Sequence, residues 1–258
     1  MKAIVRIIVA TALVGLVTPV VAEEFSAPAA KRPWHLGVGA IYREKAYSGF
    51  KDSKKTSPVP LVLYEGDRFF IRGSNLGWKF VDTKPWQVSV LGEWWADGYE
   101  SSDSNALSGM KDRDPSLAVG GQVRWQPERF GLELTATTDA MSNSDGSQVR
   151  AMALFNNRAG AWFYTMSGGL IYMDSDFVDY YYGVRNSEAL PGRPAYSGDD
   201  ETGFRAGMTF GYNAPGSKWL FLAGGRYTYL GDAIDDSPIT DEDYQYSLFG
   251  GVAYSFGK

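Results

Sequence analysis

From Trp34 onward, apolar and polar residues alternate with a period of two, the signature of strands that bury one face. In Ser116 to Trp125, Leu117, Val119, Val123 and Trp125 stand against Ser116, Ala118, Gln122 and Arg124. Phe130 to Thr138 repeats the pattern, with Phe130, Leu132, Leu134 and Ala136 against Gly131, Glu133, Thr135 and Thr137. The segments 202 to 212, 218 to 230 and 244 to 256 do the same, and their apolar registers end in Tyr, Trp or Phe. Alternation sustained over ~9 to 11 residues, with aromatic residues at its ends, predicts strands that cross a bilayer with one face in lipid and one in a polar lumen.

Twelve such segments are predicted, near 34–42, 57–64, 68–73, 76–81, 86–96, 115–125, 130–138, 148–157, 160–173, 202–212, 218–230 and 244–256. Their connections alternate in length. Those at 65–67, 82–85, 126–129, 157–159 and 213–217 are short, whereas 45–56, 97–114, 174–201 and 231–243 are long, and 139–148 falls on the same side as the long ones. Short periplasmic turns and long outer loops are expected of an all-β transmembrane antiparallel barrel. Because the third and fourth segments are short, a count of ten strands stays open beside twelve. The stretch Phe177 to Val184, with Tyr180, Tyr181 and Tyr182, has strand character, but a spanning strand there would break the parity. It is assigned to an outer loop that extends a hairpin or folds inward.

Ahead of the strands, Lys2 and Arg6, the apolar run Ile7 to Val17 and the small residues ending at Ala22 have the layout of a signal peptide, residues 1–22. Residues 23–33 read as a periplasmic leader and 34–256 as the barrel. The apolar run is about half the ~20 residues that a membrane-spanning helix needs. Aromatic residues make up 15% of the chain, a content that suits a protein with two membrane interfaces. No cysteine is present, so disulfides and thiolate metal sites are excluded. The 25 Lys and Arg are scattered in a chain of net charge −5, which argues against nucleic acid as a partner.

Candidate chemistry is sparse. The one histidine, His35, sits in the polar register of the first strand, and a lone histidine supports neither a histidine-rich zinc site nor a hydrolytic triad with any redundancy. The acidic run Asp232, Asp235, Asp236, Asp241, Glu242 and Asp243 has no EF-hand spacing and reads as a solvated outer loop. No catalytic residue, cofactor site or metal site is assigned. The lumen register carries His35, Arg124, Glu133, Arg150, Arg205 and Arg226, where charge avoids the ~2 to 4 kcal/mol cost of facing lipid. Arg124 and Glu133 are expected as a diagonal ion pair on neighbouring strands. Arg205 and Arg226 fall opposite or nearly opposite across the 213–217 turn. Facing like charges imply an anion between them, either an acid of the loop with Asp174, Asp176 and Asp179 or a solute.

Several short pieces, in order, resemble one family. They are Gly37-Val38-Gly39 through Tyr47-Ser48-Gly49, Pro58-Val59-Pro60 with Tyr64-Glu65-Gly66-Asp67, Tyr182-Gly183-Val184, Leu230-Gly231-Asp232-Ala233, Ser237-Pro238-Ile239 and the aromatic last strand. On these the chain is similar to the MltA-interacting protein family (MipA/OmpV) of Gram-negative outer-membrane proteins. The resemblance implies a non-enzymatic scaffold in contact with outer-membrane lipid, linking a lytic transglycosylase to a peptidoglycan synthase. Adhesin and permeability roles are also implied by the family. The residues themselves leave a narrow anion-preferring pore as the competing function.

Overall fold

The computed structural model describes residues 34–256. The signal peptide and leader expected at 1–33 lie outside the described residues. The strands are β1 (Trp34–Glu44), β2 (Thr56–Glu65), β3 (Phe69–Arg72), β4 (Asn75–Thr83), β5 (Trp86–Trp95), β6 (Ser116–Trp125), β7 (Phe130–Asp139), β8 (Ser147–Ala159), β9 (Trp162–Met173), β10 (Glu201–Tyr212), β11 (Trp219–Tyr229) and β12 (Tyr244–Phe256). Three short helices lie in the outer loops: α1 (Asp52–Lys55), α2 (Ser175–Tyr182) and α3 (Asp232–Asp235).

Every strand pairs antiparallel with its sequence neighbour, and β12 pairs with β1 from Trp34↔Phe256 to Glu44↔Tyr246. The sheet therefore closes at twelve strands. Closure is what a membrane demands, because an open edge in hydrocarbon leaves backbone N–H and C=O groups without partners. The alternation seen in the sequence is the inside and outside of this wall: Leu36, Val38, Leu132, Leu134, Leu170, Phe210, Phe221 and Leu248 are exposed on its outer face. Aromatic pairs such as Trp34 with Tyr64, Trp162 with Tyr212 and Trp219 with Tyr254 ring its periplasmic end.

Most boundaries shift by one or two residues, and two of the differences bear on the architecture. The strand β8 runs on to Ala159, which pairs with Trp162, so residues 157–159 belong to the wall and the turn is Gly160-Ala161. Gly160 takes a positive φ of 62°, which a glycine adopts without strain. The strand β3 is only four residues long, and its hairpin with β4 turns back at Gly73-Ser74, far below the tops of the other strands.

The lower lumen is filled. Ile41, Val59, Leu61, Leu63, Phe163, Leu220, Leu222 and Phe249 form a buried apolar cluster inside the ring. Inward glycines make the packing work by giving these side chains a seat: a Cβ on Gly211 would lie 1.9 Å from the Phe163 ring, and one on Gly224 would lie 2.5 Å from Phe249. The glycine-rich lumen register thus holds bulk in place and does not widen a channel.

Gly211→Leu should drive the new side chain into Phe163 and cost about 1 to 3 kcal/mol, the usual range for overpacking. The expected result is a lower urea midpoint for loss of the heat-modifiable gel band, with partial recovery in Gly211→Leu/Phe163→Ala.

Candidate functional site

All six candidate residues sit in the inward-facing register; the expected pair of Arg124 with Glu133 forms, and the acid near Arg205 and Arg226 is a different one. His35 is half-buried near the periplasmic end, and its Nδ1 lies 2.8 Å from Oγ of Ser255, the residue directly opposite on β12. Arg124 and Glu133 are directly opposed across β6 and β7, not diagonal, with Nε donating to Oε2 at 2.7 Å. Their pairing across one rung allows the guanidinium to meet the carboxylate with little reach. Arg150 finds Glu93, which the sequence reading missed: Nη1 donates to Oε1 at 2.9 Å and Nη2 to Oε2 at 2.7 Å. Glu93 also accepts from Trp95 Nε1 at 2.6 Å and Thr137 Oγ1 at 3.0 Å. A second buried group, also missed, joins Arg72 and Lys79 to Glu65 near the floor.

Above these pairs is a cavity of about 100 Å³, lined among others by Arg43, Lys45, Asp97, Arg150, Arg205 and Arg226. Arg205 pairs with Thr228, to whose Oγ1 its Nε donates at 3.2 Å, and Arg226 pairs with Gly207, so the two arginines are diagonal neighbours. The acid that faces them is Asp97, just past the end of β5, and the cavity lining contains none of Asp174, Asp176 or Asp179. Asp174 instead caps α2, accepting from the N–H of Phe177. Burial pushes the Asp97 carboxyl up against the pull of Lys45 and Arg205. Burial likewise pushes the Lys45 ammonium down to about 8, a fall that Asp97 opposes and Arg43 deepens.

The outer mouth is closed by a plug. The stretch with Tyr180 to Tyr182 folds inward as α2, whose Phe177, Val178, Tyr181 and Tyr182 are buried. Their spacing of i, i+1, i+4 and i+5 is one face of a helix, a signal obscured in the sequence by the β-favouring tyrosine run. Around α2 pack Tyr47, Trp95, Tyr99, Leu107, Leu230, Ile234 and Ile239 from four other segments. The short motifs therefore meet in space: Tyr47 stacks on Tyr182 at 5.6 Å, Ser237 Oγ donates to Tyr182 O at 2.5 Å, and the Ser48 N–H donates to Ile239 O at 2.9 Å. Arg113 and Glu188 tie the plug together with a buried bond of 2.8 Å. The acidic run at 232–243 starts with α3, and among the described residues no three acidic or histidine side chains gather as a metal site would need.

The family model described as MltA-interacting protein MipA matches residues 36–256, from the first strand to the last. The chain belongs to this family. It is 29% identical over 236 residues to the putative outer membrane protein YiaT of Escherichia coli, covering 90% of this chain and 94% of that one. The MltA-interacting protein of Escherichia coli is 26% identical over 230 residues, covering 88% and 92%. Outer membrane protein OmpV of Vibrio cholerae is 24% identical, covering 86% of both. Among solved structures, an outer membrane channel from Pseudomonas putida F1 matches with a TM-score of 0.47 and 13% identity, covering 88% of this chain and 97% of that one. This MipA-family member is accordingly an outer-membrane protein, as the names of its relatives and its closed barrel both say.

Two outcomes follow from the buried charges. Glu93→Ala leaves the Arg150 guanidinium buried without its carboxylate and should cost about 3 to 5 kcal/mol, read from urea unfolding. Glu188 is held at about 2: burial pushes its carboxyl up, but Arg113 and the N–H groups of Lys111 and Arg185 pull it further down. A depressed carboxyl stabilises the fold above its ordinary 4.5, and that contribution is lost as pH falls from 4.5 towards 2. Pepsin should cut the outer loops faster as pH drops through that range, and Glu188→Gln should flatten the dependence.

Proposed function

We propose that this protein is a non-enzymatic scaffold of the outer membrane, of the kind that the name of its MltA-interacting relative describes. It presents a rigid ring to cell-wall enzymes, a lytic transglycosylase and a peptidoglycan synthase. The observation that carries this reading is the filled lower lumen, in which Phe163, Phe249 and Leu61 occupy the space that inward glycines leave. A barrel packed in this way acts through its surfaces. At the periplasmic rim those surfaces are the turns at 66–68, 84–85, 126–129, 160–161 and 213–218. His35 has a structural place, bonding across the β1–β12 rung to Ser255.

Immobilised full-length protein should retain a lytic transglycosylase or a peptidoglycan synthase from a detergent extract of envelope. Retention of neither overturns the scaffold reading. The second reading, a narrow anion-preferring pore, is favoured by the cationic cavity at Arg43, Arg205 and Arg226. Planar-bilayer recordings separate the two: a silent bilayer agrees with the scaffold, and discrete anion-preferring steps favour the pore.

A further inference from the structure

The wall of the barrel has a low sill. The strand β2 pairs with β3 only through Leu63, Tyr64 and Glu65, and the β3–β4 hairpin turns at Gly73-Ser74. Above that turn, residues 56–61 of β2 pair with β1 alone among the described residues. The N–H of Gly73 donates to Val62 O at 3.1 Å, so the backbone groups of the even-numbered residues point to the open side. Two of those residues are Pro58 and Pro60, which carry no N–H. They lie opposite Ala40 and Val38 on β1, and Val38 is exposed on the lipid face, so this edge stands at the depth of the bilayer. An unpaired strand edge in lipid is costly, and proline is the residue that removes its donors.

On the far side of this gap β5 rises past the hairpin to Trp94 and Trp95. The top is spanned by contacts between the β1–β2 and β5–β6 loops: the N–H of Lys51 donates to Asp103 O at 2.9 Å, Tyr47 Oη donates to Asp97 O at 3.2 Å, and Lys45 Nζ donates to Gly98 O. A window results, with Ser74 and Asn75 at its sill. Those two residues also line the cationic cavity, so the cavity lies against the window.

Inside, Arg43 presents Nε and Nη2, both buried and both without a hydrogen-bond partner among the described residues. These two nitrogens form one edge of the guanidinium, the edge that fits a carboxylate or phosphate with two parallel bonds. A buried guanidinium edge without an acceptor is expensive, so the site is built for one. Arg43, Lys45, Arg150, Arg205 and Arg226 outnumber the lining acids Glu44, Glu93 and Asp97. Glu93 is committed to Arg150, and Glu44 to Lys55 at 2.6 Å.

We propose that this cavity binds the acidic headgroup of a membrane amphiphile, a phosphate or carboxylate, which reaches Arg43 sideways from the bilayer through the window above the β3–β4 hairpin, between β2 and β5. The volume of about 100 Å³ takes an oxyanion head and leaves an acyl chain outside, in the lipid that the window faces.

The test uses full-length protein in dodecyl maltoside, titrated with dodecyl phosphate and, separately, with inorganic phosphate, following tryptophan emission and calorimetric heat. Saturable binding of dodecyl phosphate is expected, at least tenfold tighter than that of inorganic phosphate and at least tenfold weaker in Arg43→Gln. Arg43→Lys, which keeps the charge and loses the fork, should also weaken it, and gel mobility before and after boiling checks the fold of each variant. Equal affinity for the two probes overturns the lateral route and leaves a site for a free oxyanion. Absence of binding, or binding unchanged in both folded variants, overturns the site. Lengthening the hairpin at Gly73-Ser74 to raise the sill should slow binding of dodecyl phosphate at least tenfold and leave that of inorganic phosphate alone; an unchanged rate overturns the route.

Discussion

A backbone in hydrocarbon has no water to pair with, and the architecture follows from that single constraint. Twelve strands close on themselves so that almost every N–H and C=O in the wall has a partner. Where β2 loses its neighbour above Val62, the chain answers with two prolines. The same constraint sorts the side chains, because a strand locked into a ring has one face for lipid and one for the lumen. A one-residue slip in any strand would exchange the two faces.

Inside the ring the energetic problem changes from pairing backbone to filling space. The chain solves it at three levels. Apolar side chains seated on glycines occupy the floor, charged residues in mutually satisfying groups occupy the middle, and an aromatic plug covers the mouth. Glu93 illustrates the middle layer, since it accepts from Arg150, Trp95 and Thr137 together. Replacing such a group piecemeal exposes the cost of each buried charge. The cavity above it is less complete, and Arg43 is the residue through which that shows.

Much of this was legible in the sequence. A period of two assigns each residue of a strand to a face, and it placed His35, Arg124, Glu133, Arg150, Arg205 and Arg226 inside. It does not say which inward residues meet across the lumen. Arg150 and Glu93 lie on β8 and β5, with two strands between them around the wall, so no rung pairs them. Asp97 escaped notice because it lies just past a strand, where alternation stops. The helix α2 was hidden behind Tyr180 to Tyr182, whose preference for strands masked a helical face at 177, 178, 181 and 182. Pro58 and Pro60 stood out in the sequence, but their meaning required the register of β3.

The plug also bears on how the ring is sealed. The β1–β12 seam joins segments at opposite ends of the barrel sequence, the pairing with the greatest loop-closure cost. Directly above it the loops continue the zipper: Asp241 donates its N–H to Ala46 O at 3.1 Å, Ser48 donates to Ile239 O, and Tyr47 bridges Thr240. Tyr47 then drives its ring into the cluster that α2 and the β11–β12 loop build. The cluster thereby acts as a clasp fastened across the weakest joint of the ring, and prying the seam apart means first dismantling contacts contributed by five separate stretches of chain.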